Sequence, residues 1–310
     1  MNMKQRSPMS GVWFGILAYT AWGVLPLYWK LLNLVPALEI LSHRILWSFI
    51  FIWLIILVTG GWQFVGNAFA DKKNILLIFL SGILISINWF TYIWAVNSNH
   101  VIEASMGYYI NPLVVVLLSV VVIKERLNRW QGIAIILAAT GVMIMTVQYG
   151  RIPWVSLVLA SSFALYGLLK KLVKVDSMTG LALETSIVMP IALAYIISKE
   201  VQGVGALGVN PVATSLLLVG SGIVTAVPLL WFGMGTQKIK LSMMGFLQYI
   251  APTISLILGV FVFKEHFPPT HLISFGFIWA GLLVFAVSNI RDARGRHLAS
   301  NHPLAADGRQ

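Results

Sequence analysis

The amino-acid sequence predicts an all-α integral membrane protein of ten transmembrane helices, arranged as two inverted five-helix repeats. Three observations predict it: too little charge to coat a water-facing surface, ten apolar runs of membrane-spanning length, and a pattern that recurs at an offset of 140 residues. Hydrophobic residues make up 58% of the 310-residue chain and charged ones only 10%, against about 25% charged in an average soluble domain. There is no cysteine, which excludes a disulfide framework, a thiolate metal site and a cysteine nucleophile.

Taken in order, the spans are expected at 11–32, 38–59, 75–96, 102–123, 130–148, 154–172, 179–198, 212–235, 241–263 and 271–290, each near the length of about 20 residues that crosses a bilayer. The first follows Lys4 and Arg6 as a signal peptide would, but it is too long for an h-region and lacks an A-x-A-like cleavage site, so it is expected to be retained. The second carries Arg44, the fourth Pro112, the seventh Glu184 and the ninth Pro252. The chain accordingly divides into a cytoplasmic N-terminus (1–10), a first repeat (11–148), a second repeat (149–290) and a disordered cytoplasmic tail (291–310).

Lysine and arginine are held back on the cytoplasmic side during insertion. With the N-terminus inside, only Lys30, Arg151, Lys199 and Lys264 of the 21 basic residues fall outside, and Arg44 lies within a span. Both termini are therefore expected in the cytoplasm of a bacterial inner membrane protein. The net charge of +11 is spread over short loops rather than gathered on one face with interleaved aromatics, which argues against nucleic acid as a partner.

Tyr109, Ile110, Pro112, Lys124 and Glu125 recur as Tyr249, Ile250, Pro252, Lys264 and Glu265. Five spans per half is an odd number, so the second copy must enter the bilayer from the opposite side. Inverted repeats of this kind are a recurring plan of secondary transporters. A proline inside a helix also frees the carbonyl four residues earlier, here those of Tyr108 and Gln248, and such breaks are tolerated in lipid where they face protein, water or a ligand. Pro112 and Pro252 are thus candidate helix breaks, with Tyr108, Tyr109, Asn111, Gln248, Tyr249 and Thr253 around them; bending for packing alone is the competing account.

Asn88, Thr91, Tyr92 and Ala95 share one face of the third span. Trp89 and, in the eighth span, Trp231 lie deep enough to be cavity candidates, whereas Trp94 sits near a span end, where aromatics are often anchors. Arg44 and Glu184 should lie on opposite sides of the midplane, about 12 Å apart along the normal for a core of about 30 Å, and so are poor partners for one salt bridge. For Arg44 three roles stay open: a solvated or snorkelling side chain, a helix-clamping ion pair, or binding and gating, with Glu39, His43, His100 and Glu103 as its expected outer neighbours. Glu184 has no cation nearby in its own segment, which favours its neutral form in lipid and makes it the candidate proton-coupling group.

With these residues in view, the chain resembles the EamA-type branch of the drug/metabolite transporter superfamily, and within it the RarD group of permeases. The resemblance covers about residues 10–290 and is carried by Asn88 to Tyr92, by Tyr109-Ile110-Asn111-Pro112, by Lys124-Glu125-Arg126-Leu127 and by their degenerate second copies. It implies ten helices in two inverted halves around a central cavity, moving small organic molecules across the cytoplasmic membrane. The implied wall is Trp22, Asn88, Trp89, Tyr92, Tyr108 and Asn111 in one half, with Tyr166, Trp231, Gln248 and Tyr249 in the other. Ala251 stands where Asn111 would recur and Met243 where Glu103 would, so the two halves of the site are not equivalent.

Such a wall, rich in Trp and Tyr with scattered amides, suits an amphipathic or aromatic molecule, and a carboxylate could be met by Arg44. The expected function is secondary-active export of such a molecule or drug by alternating access, with protons as candidate coupling ion; the RarD group is associated by name with chloramphenicol sensitivity. A carrier of lipid or a lipid-linked metabolite is the alternative. No cofactor, nucleotide site or metal is expected, since neither G-x-x-x-x-G-K nor H-E-x-x-H occurs. No convergent catalytic set suggests an enzyme, and no ring of like charge a channel.

Overall fold

Backbone groups in lipid have no water to bond, so a chain this apolar satisfies them within helices, and the described residues of the computed structural model contain ten helices long and apolar enough to span a membrane. The structure describes residues 8–69, 71–98, 100–209, 211–262, 264 and 269–301, with no strand among them. In order, α1 (Pro8–Lys30), α2 (Ala37–Thr59), a short α3 (Trp62–Phe69), α4 (Lys72–Asn97), α5 (Val101–Val121) and α6 (Arg129–Tyr149) cover the first half. The second comprises α7 (Trp154–Leu172), α8 (Ser177–Val201), the single turn α9 (Ala206–Val209), α10 (Val212–Lys238), α11 (Leu241–Leu247), α12 (Ile250–Ile257) with a π-helical turn (Leu258–Val262), and α13 (Pro269–Asn301).

The expected spans coincide with these helices to within a few residues. Short polar caps set several boundaries. Asp71 accepts from the Lys73 amide, Asp176 from those of Met178 and Thr179, and Asn128 forms a capping box with Gln131, each satisfying amides that a helix start leaves free. Sequence reasoning passed over α3, whose Trp62, Phe64 and Phe69 are exposed while Val65 and Ala68 are buried.

The prolines behave differently from one another. Pro112 sits inside α5 without interrupting it, a correction to the expected break there. Near Pro252 the helix does break, one turn upstream at Gln248–Tyr249. That is where the proline leaves the Gln248 carbonyl without its usual partner; the carbonyl instead accepts from Ala251 N at 3.2 Å.

By contacts the chain forms two units, Met1–Lys124 with Pro153–His266, and Glu125–Ile152 with Phe267–Gln310, a division that cuts across the expected sequence halves. Within the first unit, α5 packs on α7 and α12 on α1; α4 packs on α7 and α10 on α1; α2 packs on α10 and α8 on α4. Each pairing thus meets its counterpart five spans on. Within the second unit, α6 lies against α13. A Cβ on Gly141 would stand 2.5 Å from the Ser274 carbonyl oxygen, and one on Gly281 2.7 Å from that of Ala134. These are the same contact with the partners exchanged and each number displaced by 140, as a two-fold relation produces. Among the described residues the non-glycine positions in left-handed backbone are Lys124 (φ 60) and Lys264 (φ 57), again a pair 140 apart.

Large apolar side chains such as Leu54, Leu117, Ile136, Ile191 and Leu216 point outward, as a lipid-facing surface requires. Helix α13 continues to Asn301, past the expected start of a disordered tail at 291. Residues 1–7 of the expected N-terminus, Glu265, and the last stretch of that tail from 302 lie outside the described residues.

Candidate functional site

Two cations are drawn into the first unit. On α7, one turn separates Tyr166 from Lys170, so both side chains reach the same side of the helix. Lys170 Nζ lies 2.9 Å from Glu184 Oε1 of α8, and the Tyr166 hydroxyl donates to Glu184 Oε2 at 3.1 Å. All three are buried. Tyr166 stacks on Phe232 with centroids 5.8 Å apart, and Phe163, Trp22 and Tyr19 extend this aromatic cluster. Beside Glu184 and Tyr166 is a void of about 10 Å³, lined by Ile45, Trp89, Leu181, Val188 and Leu229 among others, which is room for about one water.

Arg44 of α2 is placed otherwise. Its Nε donates to Thr225 Oγ1 of α10 at 3.0 Å, and its guanidinium lies 4.6 Å from the ring centre of Trp29 and 5.6 Å from that of Trp89. Trp89 therefore borders both the void beside Glu184 and the Arg44 cation. Tyr92 and Tyr108 stand within electrostatic reach of Arg44, their rings 6.2 Å apart edge to face.

A profile of the EamA-like transporter family matches residues 9–147. An uncharacterized transporter of Bacillus subtilis, YojE, is 48% identical over 93% of this chain and 97% of its own. Protein RarD of Escherichia coli K12 is 38% identical over 94% of this chain and 99% of its own. The chain belongs to the EamA-like transporter family, in its RarD group. A protein of Pseudomonas aeruginosa named chloramphenicol-sensitive protein RarD is 29% identical over 88% of this chain and 92% of its own. A crystal structure with 16% identity superposes with a TM-score of 0.69 over 92% of this chain and 99% of that one, and so shares the fold. The chain is thus a multi-pass bacterial membrane protein of a transporter family, some of whose relatives carry transporter names.

Within this EamA-family fold, the wall residues expected from the sequence divide into groups. Trp89, Tyr92 and Tyr108 gather around Arg44, and Tyr166 joins Glu184. Asn88 and Asn111 instead bind helix α7 by its carbonyls: Asn88 Nδ2 donates to Leu159 O and Ser162 Oγ, and Asn111 Nδ2 to Ala160 O. Thr91 and Ala95 are buried, Ala95 against Val155 and Leu159, so the polar face of α4 largely packs on α7. Tyr249 is buried and donates to Tyr109 O at 3.3 Å; Gln248 is buried with Oε1 unpartnered; Trp22 and Trp231 pack against the main apolar cluster.

Several expectations for charged groups need correction. Arg44 finds none of the outer residues expected for it. Glu103 is held beside the start of α7, accepting from Val155 N at 3.2 Å and meeting His100 Nδ1 at 3.0 Å. Glu39 accepts from Ala206 N at 2.6 Å. Arg44 and Glu184 form no direct pair, as depth counting anticipated. Glu184 is not isolated, because Lys170 reaches it from the neighbouring helix.

Sequence reasoning missed Lys170, Thr225 and Trp29. Lys170 was counted with the cytoplasmic loop because it lies in the last turn of its span, but a four-carbon stem lets an ammonium reach several ångströms along the helix. Its spacing of four from Tyr166 was the available signal. Thr225 offered none.

Proposed function

We propose that the chain is a secondary-active transporter that exports a small amphipathic or aromatic organic molecule by alternating access between two inverted five-helix halves, residues 11–148 and 149–290. The observation that carries this reading is the ionic and aromatic set at the Trp89 indole, assembled from α2, α4, α7, α8 and α10, hence from both halves. Ionised groups inside a bilayer are expensive and persist where they serve a pathway or a coupling step. A void that holds about one water admits no organic molecule, so passage requires the helices around it to part. The matched helix pairings support two near-equivalent ways of doing so. The unequal prolines and the break at Gln248–Tyr249 make the ninth span the softer of the two.

In this reading Glu184 couples transport to protons: protonation releases Lys170 and Tyr166, and the freed helices α7 and α8 change their relation. Chloramphenicol is a sensible first substrate to try, given the name of the P. aeruginosa relative. Purified protein in liposomes, screened with labelled organic metabolites and chloramphenicol, should give flux above protein-free vesicles, and Glu184→Gln should remove its pH dependence while sparing exchange. Flux equal to empty vesicles across the screen would reject transport, and an unchanged pH response would reject Glu184.

Orientation has its own test. The protein has no cysteine, so Lys124→Cys and Lys264→Cys, both exposed, should label from opposite sides of the inner membrane, with Lys124 cytoplasmic. Labelling from one side would end the inverted arrangement. Carriage of a lipid or lipid-linked metabolite is the second reading, favoured by the exposed aromatic rings of Tyr92 and Tyr108.

A further inference from the structure

Among the described residues no carboxylate forms an ion pair with the Arg44 guanidinium. Its hydrogen bond among the described residues is the one from Nε to Thr225, and no described group bonds the terminal fork of the side chain. The residue is only half-buried, and its terminal nitrogens are not among the sealed, unpartnered polar atoms of the described residues. An arginine fork that opens onto accessible space inside a membrane protein faces water or a ligand, because lipid solvates neither of its free nitrogens.

The surroundings narrow the ligand. The guanidinium lies over the rings of Trp29 and Trp89, and Tyr92 (38% exposed) and Tyr108 (49% exposed) present phenol rings nearby. The glutamates of the first unit's helices are already engaged: Glu39 with Ala206 N, Glu103 with Val155 N and His100, Glu184 with Lys170 and Tyr166, and Glu200 with Leu207 N. An ammonium group on the ligand would therefore meet no free carboxylate. A planar carboxylate, in contrast, matches the two outward N–H groups of an arginine in a bidentate way.

Resting on the transporter reading above, we propose that the Arg44 site selects aromatic monocarboxylates with net negative charge, the carboxylate on the Arg44 fork and the ring against Trp89, Tyr92 and Tyr108. Thr225 acts as a positioning residue, holding Nε so that the fork points into the accessible space. Substrates that are neutral, or zwitterionic with the same ring, bind less well because they lose the ionic contact or strand an ammonium.

The wild-type protein in detergent supplies the first test, with binding of phenylacetate, phenylacetamide and L-phenylalanine measured by calorimetry and thermal shift. Phenylacetate should bind about tenfold tighter or better than the amide, the scale of one charge-assisted contact, and also tighter than L-phenylalanine. Arg44→Gln should bring the carboxylate-to-amide ratio to about one, and Thr225→Val should lower it while leaving the protein folded. Should Arg44→Gln not fold, the wild-type ranking and Thr225→Val still decide. An amide or zwitterion that equals phenylacetate, a preference that survives Arg44→Gln, or no binding of any of the three probes overturns the proposal. Proteoliposome flux separates this from the broader reading. Transport of a neutral organic molecule that ignores Arg44→Gln keeps the transporter and removes the anion site, whereas absence of all organic flux removes the transporter.

Discussion

Arg44 and Lys170 are both cations inside the first unit, and they are satisfied in opposite ways. Lys170 lies 2.9 Å from Glu184, with side-chain exposures of 3% and 2%, so its charge is cancelled within the protein. Arg44 has a hydroxyl and two indole faces instead. Opposite charges in a low-dielectric interior attract strongly, but each must first leave water, and the pair is worth keeping mainly because losing one member strands the other. An unbalanced arginine avoids that dependence at the cost of a standing field. The first arrangement suits a switch, in which a single proton changes everything around it. The second suits a receptor for an anion, which supplies the missing charge.

Unfolding measurements can break this comparison. The largest effect is expected at the ion pair: Lys170→Ala or Glu184→Ala alone should each destabilise the protein by about 3–5 kcal/mol, while Lys170→Met combined with Glu184→Gln should recover most of that loss. Denaturant unfolding in detergent gives the coupling energy, and additive losses would show that the two residues do not depend on each other.

A smaller loss is expected for Arg44→Gln, about 1–2 kcal/mol from one hydrogen bond and partial cation–π contacts. A loss as large as that of Lys170→Ala would mean that Arg44 is balanced by a buried partner after all, and would remove the contrast between the two sites.

Much of the architecture was legible because lipid imposes simple rules. Runs of about 20 apolar residues must be helices, and the ten expected spans match the observed helices closely. The offset of 140 between Tyr109 and Tyr249 announced a duplication that reappears as reciprocal contacts at Gly141 and Gly281 and as left-handed backbone at Lys124 and Lys264. The site was legible in part. Trp89, Tyr92 and Tyr108 were named, and so were Tyr166 and Glu184, though not as neighbours; yet Asn88 and Asn111, which carried as much apparent promise, serve to fasten α4 and α5 to α7. Polar groups in a membrane segment must find partners, and sequence does not say whether the partner is a ligand or a neighbouring helix.

By itself the sequence determined that the chain lives in a membrane, how many times it crosses, and that its two halves share one pattern, because these follow from local hydropathy and spacing. Which cation meets which anion was decided only by tertiary structure. Lys170 and Glu184 come together across two helices, and Arg44 is left to Thr225 and two tryptophans, through packing angles that depend on contacts far apart in the chain. Electrostatic energy varies steeply with distances of a few ångströms, and the order of residues along the chain does not encode those distances directly.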